Sequence, residues 1–298
     1  MTADFSTVLI DGPWRHGFVS ANGTRFHVAE AGPEDGPLVV LLHSFPQFWW
    51  TWRHQLEALG AAGYRAVALD LRGTGASDKP PLGYDVLTRT RDVAGVVRSL
   101  GASSATIVGH GLGAHVAWSM PSLQPAVTES VVALACPHPA RMHRRLRAVL
   151  TPHVARYLAL VQLPSVPERQ LRDGLAGRIV ADGSVVARSS DELATYDSAM
   201  QVPFAAHNAL EPLRWIVRSA PRIDGRRFLS VVRRPIAVPT MLVHGAQDPF
   251  LRADGIELDA AALCRDFRFE MIDGVGHFPH EEAPERVTAL LLEHLGRL

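Results

Sequence analysis

Ala105-Thr106-Ile107-Val108-Gly109-His110-Gly111-Leu112-Gly113-Ala114 decides how this chain is read. Four apolar-leaning residues suit a strand buried on both faces, and the stretch behind them has the pattern of a helix. The tight turn between them is marked by three glycines. In the G-x-S-x-G kind of strand-turn-helix elbow, the reactive side chain stands at the centre of the turn. Here Gly109 and Gly113 flank a centre, Gly111, that has no side chain.

Further short apolar runs lie on either side: Leu38–Leu42 ending at His43, Arg65–Leu69 ending at Asp70, and Ser130–Ala135 ending at Cys136. Short runs without alternation are those of a parallel sheet covered on both faces. Helical spacing over Trp52–Ala61 and Val86–Leu100 separates them, which predicts a doubly wound α/β domain. Ala21-Asn22-Gly23-Thr24 predicts a hairpin turn, because Asn-Gly tolerates positive φ.

After Pro139 the strand pattern stops. Helices are predicted at Arg141–Leu163, Glu168–Val180, Asp191–Met200 and Pro203–Ser219, broken by prolines. The expected organisation is a mostly parallel sheet domain formed by residues 1–139 and 226–298, with a helical cap at 140–225. The strands resume at Thr240–His244 and Phe267–Ile272, and a last helix is expected over Glu281–Leu295.

The composition narrows the function classes. The 298 residues are enough for one sizeable core. Thirty basic residues balance thirty acidic ones, which argues against a nucleic-acid partner. No apolar run is long enough for an integral membrane segment, and the N-terminus lacks a signal-peptide pattern. Two cysteines, Cys136 and Cys264, make no disulfide framework, so a cytoplasmic location is expected. Fourteen histidines show no metal-ligand spacing, so neither a metal nor another cofactor is expected.

In such sheets the chemistry gathers at the carboxyl ends of the strands. There the chain places Gly111, Asp248 after Thr240–His244, His277 after Phe267–Ile272, and His43-Ser44-Phe45 after Leu38–Leu42. His277 has the chemistry of a general base, and Asp248 that of its orienting partner. The N–H groups of Phe45 and Leu112 would form an oxyanion hole. The order elbow, Asp, His is that of the α/β-hydrolases.

Within that superfamily, His43-Ser44-Phe45-Pro46-Gln47-Phe48-Trp49-Trp50-Thr51-Trp52 resembles the oxyanion-loop region of epoxide hydrolases. Asp70-Leu71-Arg72-Gly73-Thr74-Gly75-Ala76-Ser77-Asp78-Lys79-Pro80 resembles a second segment of that branch, and Tyr157 with Gln162–Glu168 its cap. The resemblance spans nearly the whole chain. It implies an α/β-hydrolase fold with an inserted cap, an aspartate nucleophile followed by tryptophan at the elbow, and two cap tyrosines that hold the epoxide oxygen. Gly111-Leu112 stands in place of the Asp-Trp pair, Ser44 in place of a loop glycine, and Leu213 near the second tyrosine.

The expected function is therefore that of an epoxide hydrolase-like protein without its elbow nucleophile. Catalysis would be impaired or lost, and a small apolar ligand would bind in the cleft between core and cap. Tyr157, Trp49, Phe45 and His43 are the expected substrate-binding residues. A protein partner or a second copy docking through the cap is a further expectation. The alternative is a working epoxide or ester hydrolase, in which water above Gly111 is activated by His277 and Asp248 without a covalent intermediate. Cys136 reads either as a substitute nucleophile or, more simply, as a buried thiol. His110 is expected to pack under the elbow and His138 to act as a hinge residue. The arginine-rich stretch Arg141, His143, Arg144, Arg145, Arg147 reads as a solvated helix face.

Overall fold

The structure is a computed structural model that describes residues 4–144 and 149–298. Its strands are β1 (Arg15–Ala21), β2 (Thr24–Ala31), β3 (Leu38–Leu42), β4 (Arg65–Leu69), β5 (Ala105–His110), β6 (Thr128–Leu134), β7 (Thr240–Gly245) and β8 (Phe267–Ile272). They form one sheet in the order β1-β2-β4-β3-β5-β6-β7-β8. β2 pairs antiparallel with both β1 and β4, and every later pairing is parallel. The fold is thus an α/β-hydrolase sheet, mostly parallel, as the apolar runs indicated.

Burial explains which runs became which strands. All residues of β3, β5 and β7 are buried, so neither face of these strands meets water. The edge strand β1 keeps exposed and half-buried positions, and β8 is mostly half-buried. Two cores cover the two faces. One contains Leu56 and Leu59 of the helix Arg53–Ala61 with Leu290 and Leu291 of the helix Pro284–Leu295. The other contains Val93 and Val97 of the helix Val86–Ser99 with Trp118 and Met120 of the helix Leu112–Leu123. Asn22 and Gly23 both adopt positive φ, +48° and +70°, and join β1 to β2 in the expected hairpin.

Between β6 and β7 the described residues hold helices and no sheet strand. The predicted helix Arg141–Leu163 is corrected to two, Pro139–Arg144 and Pro152–Leu160. The break has a local cause. Leu150 bridges Leu251, and Thr151 then caps a new helix whose first residue is Pro152, a position where the missing N–H costs nothing. Arg145 and Arg147 of the arginine-rich stretch, and the side chains of His143 and Arg144, lie outside what is described. Arg141 does not match a solvated face: it is buried and pairs with Asp259 at 3.4 Å. The last predicted helix is likewise divided, into Pro279–Glu282 and Pro284–Leu295.

No helix among the described residues is long and apolar enough to cross a membrane. His138 is buried against Trp118, and its Nδ1 accepts the Ala140 N–H at the start of Pro139–Arg144. It therefore fastens the chain where the sheet domain gives way to the helices.

Candidate active site

The elbow sits at the carboxyl end of β5. Gly111 has φ +48° and ψ −110°, a conformation that glycine takes freely and that strains other residues. Its N–H donates to the Leu134 carbonyl of β6 at 3.0 Å, and its carbonyl accepts the His115 N–H at 2.9 Å. The flanking glycines are required by packing. A Cβ on Gly109 would fall on the Gly113 backbone, and one on Gly113 would fall on the Leu42 carbonyl of β3.

Ser44 fills the space above Gly111. A Cβ built on Gly111 would overlap Ser44 Oγ, lie 2.9 Å from Ser44 Cβ, and stand 3.9 Å from His277 Nε2. The Leu112 N–H, the first free donor of its helix, donates to Ser44 Oγ at 3.0 Å. The donor assigned to an oxyanion thus already holds a hydroxyl. The Phe45 N–H, the second expected donor, has no partner among the described residues.

His43 presents this loop to the site. The Leu71 N–H donates to its Nε2 at 3.1 Å, so its Nδ1–H donates to the Ser44 carbonyl at 2.8 Å. Burial pushes the ring down to about 4. His43 is therefore a neutral brace behind the loop, not a wall of the cavity, which corrects its expected substrate-binding role. Trp49 is corrected in the same way. It is fully buried, gives its indole N–H to the Val8 carbonyl and packs edge-on to Trp14 and His16.

His277 and Asp248 meet. Nδ1 of His277 lies 2.8 Å from Oδ2 of Asp248, while Oδ1 accepts the N–H groups of Phe250 and Leu251 at 2.7 and 3.0 Å. Burial alone would raise the Asp248 carboxyl. The His277 ring beside it, its hydrogen bond, His244 and the Leu251 N–H outweigh that and hold it below the usual range. With a carboxylate on Nδ1, the His277 ring is oriented with Nε2 facing the elbow.

Sequence reasoning missed what holds His277 in place. Glu282 Oε2 accepts the N–H groups of Gly276, Val185 and Val186, and its Oε1 accepts that of Phe278. The His277 N–H donates to the Gly183 carbonyl at 2.7 Å. His110 packs under the elbow with Nε2 donating to the His277 carbonyl at 2.8 Å. The buried carboxylate Glu281 meets Arg53 at 2.7 Å, Gln47 at 3.1 Å, Arg188 at 3.3 Å and the Tyr196 hydroxyl. The signal was in Pro279-His280-Glu281-Glu282, two adjacent carboxylates four and five residues after the candidate base.

A cavity of about 230 Å³ opens above Ser44, Gly111 and His277. Its walls are almost entirely apolar, with Phe45, Leu112, Val154, Leu213 and Phe250 among them. The Tyr157 ring lines it, yet the Tyr157 hydroxyl donates to Asp182 at 2.6 Å. Leu213 brings no polar atom where the resemblance implied a second tyrosine. Cys136 also touches the cavity, but its thiol donates to the Pro137 carbonyl, and burial pushes it up to about 12. A protonated thiol is a poor nucleophile. Among the described residues no group of three or more side chains is placed to hold a metal ion.

The buried rings make stability depend on pH. Burial lowers His43 and His138 to about 4, from 6.5. In the unfolded chain both bind protons below 6.5, while the native rings refuse them until about 4. The unfolded state therefore binds more protons across that window, and stability falls as the pH drops through it. Urea midpoints are expected to be level above about pH 7 and lower at each step from 6.5 to 4. A midpoint unchanged between pH 7.5 and 4.5 would show that these rings are not buried neutral.

Comparison with known proteins agrees with this geometry. Residues 39–290 match the model of the alpha/beta hydrolase family. The chain is 33% identical over 288 residues to AB hydrolase superfamily protein YfhM of Bacillus subtilis, covering 93% of this chain and 96% of that one. It is 30% identical to epoxide hydrolase A of Mycobacterium tuberculosis, again over 93% and 96% of the two chains. The crystal structure of epoxide hydrolase A from Mycobacterium thermoresistibile superposes with a TM-score of 0.78 at 26% identity, covering 95% and 98%. With the sheet order, the elbow and the His277–Asp248 pair in place, the chain belongs to the α/β-hydrolase family and is epoxide hydrolase-like.

Proposed function

We propose that this protein binds a small apolar molecule between core and cap and performs no covalent catalysis from its elbow. One observation carries the reading: at the tip of the elbow there is no side chain, and Ser44 Oγ occupies both the space of the missing group and the Leu112 N–H. Covalent catalysis needs a heteroatom held at the reacting centre, and loss of that group removes on the order of a million-fold in turnover. The cavity supports binding, since its walls are almost entirely apolar and few polar groups, Ser44 and His277 among them, reach it. His277 and Asp248 keep the geometry of a base and its orienter, and in this reading they form the polar end of the binding site. The water-based alternative requires donors for the oxyanion that a nucleophilic water would create. The Leu112 N–H already donates to Ser44 Oγ, which speaks for binding over turnover.

Styrene oxide tests this. Incubation at millimolar concentration is expected to raise the melting temperature, with the epoxide recovered unchanged and the intact protein mass unaltered. Diol formation that disappears in His277→Ala would overturn the reading in favour of hydrolysis. A covalent adduct mapped to any cavity side chain, Ser44 included, would overturn it in favour of a relocated nucleophile.

A further inference from the structure

The polar end of the cavity reads one particular chemical group. Two side chains face it, and each has one hydrogen-bonding capacity unspent. Ser44 Oγ accepts from the Leu112 N–H, so its own hydroxyl hydrogen is left to donate. His277 gives Nδ1 to Asp248, and its Nε2 has no hydrogen-bond partner among the described residues. In the neutral ring with Nδ1–H on the carboxylate, Nε2 is an acceptor. Both atoms flank the same point beside Gly111, and both residues are more than nine-tenths buried. Two other polar side chains of the cavity wall are already engaged, the Tyr157 hydroxyl by Asp182 and the Cys136 thiol by Pro137, and the Phe45 N–H beside Ser44 is a second donor to the same ligand oxygen.

We infer that the site selects a compact apolar alcohol, whose hydroxyl oxygen accepts from Ser44 and whose hydrogen is donated to His277 Nε2. This rests on the binding role proposed above and specifies the ligand class. A hydroxyl is the smallest group that donates and accepts at once, so it satisfies both residues. A ketone accepts from Ser44 but leaves the desolvated Nε2 unpaired, which costs more than a missing bond in water. A carboxylate would lie beside the buried Asp248 charge and offers no donor.

Cyclohexanol and cyclohexanone separate these cases, being close in size and both water-soluble. Calorimetric titration of the full chain at pH 8 is expected to show cyclohexanol binding about ten-fold more tightly than cyclohexanone. His277→Phe should bring that ratio close to one. Ser44→Ala should weaken both ligands by about five-fold and leave the ratio standing, because both use the serine donor. Equal affinity of the two in the unsubstituted protein, or cyclohexanecarboxylate binding more tightly than the alcohol, would overturn the inference while leaving a binding role intact. Failure of all three to bind at millimolar concentration, together with no thermal shift from styrene oxide, would overturn the binding role itself.

Discussion

Gly111→Ala is expected to destabilise the protein by about 2–6 kcal/mol, and adding Ser44→Gly should return about 1–3 kcal/mol of that. Two separate costs make up the loss. A residue with a Cβ is strained at φ +48°, ψ −110°, by about 1–3 kcal/mol, and this strain remains in the double variant. The second cost is overlap of the new Cβ with Ser44 Oγ and its approach to Ser44 Cβ at 2.9 Å, which also amounts to about 1–3 kcal/mol. Removing the Ser44 side chain relieves only the second. A double-mutant cycle from urea melts isolates it, since the backbone term cancels. Additive effects of the two substitutions would mean that Ser44 yields easily and does not fill the elbow. The same geometry bears on restoring chemistry. Gly111→Asp by itself collides with Ser44 and finds the Leu112 N–H occupied, so no gain in epoxide opening is expected unless Ser44→Gly accompanies it.

Glu281→Ala should cost about 3–5 kcal/mol, far more than Glu192→Ala. The Glu281 side chain has no exposure and compensates Arg53 and Arg188, while accepting from Gln47 and Tyr196. Its removal leaves buried donors without an acceptor and two guanidinium groups short of charge. Glu192 meets the same two arginines at 2.7 and 3.1 Å, but its side chain is 28% exposed, so water replaces it at a cost of about 1 kcal/mol or less. The placement makes the difference structural as well as energetic. Arg53 begins the helix on the sheet, Tyr196 lies in Ser190–Ala199 between β6 and β7, and Glu281 follows His277 by four residues. Melts of the two variants side by side decide the matter. Equal losses would show that the buried charge is not the element joining these segments.

Local pattern determined much of this protein. The apolar runs at β3, β5 and β7 became strands buried on both faces, a property that needs no knowledge of neighbours. The Asn22-Gly23 hairpin and the glycines around the elbow follow from backbone sterics at single positions. The order of Gly111, Asp248 and His277 pointed to their meeting, because parallel strands deliver their carboxyl ends to one edge of the sheet. What the tertiary structure alone decided concerns side chains distant in sequence. The aromatic run Phe45–Trp52 has one composition, yet Phe45 lines the cavity while the buried Trp49 indole turns to the Val8 carbonyl. His43 and Ser44 are adjacent, and one braces the loop while the other fills the elbow. Arg141 met Asp259, more than a hundred residues away, and left the solvent. Periodicity records which face of an element is buried; the packing of β3 against β5 sets which atom stands over Gly111, and that distance is written nowhere in either segment.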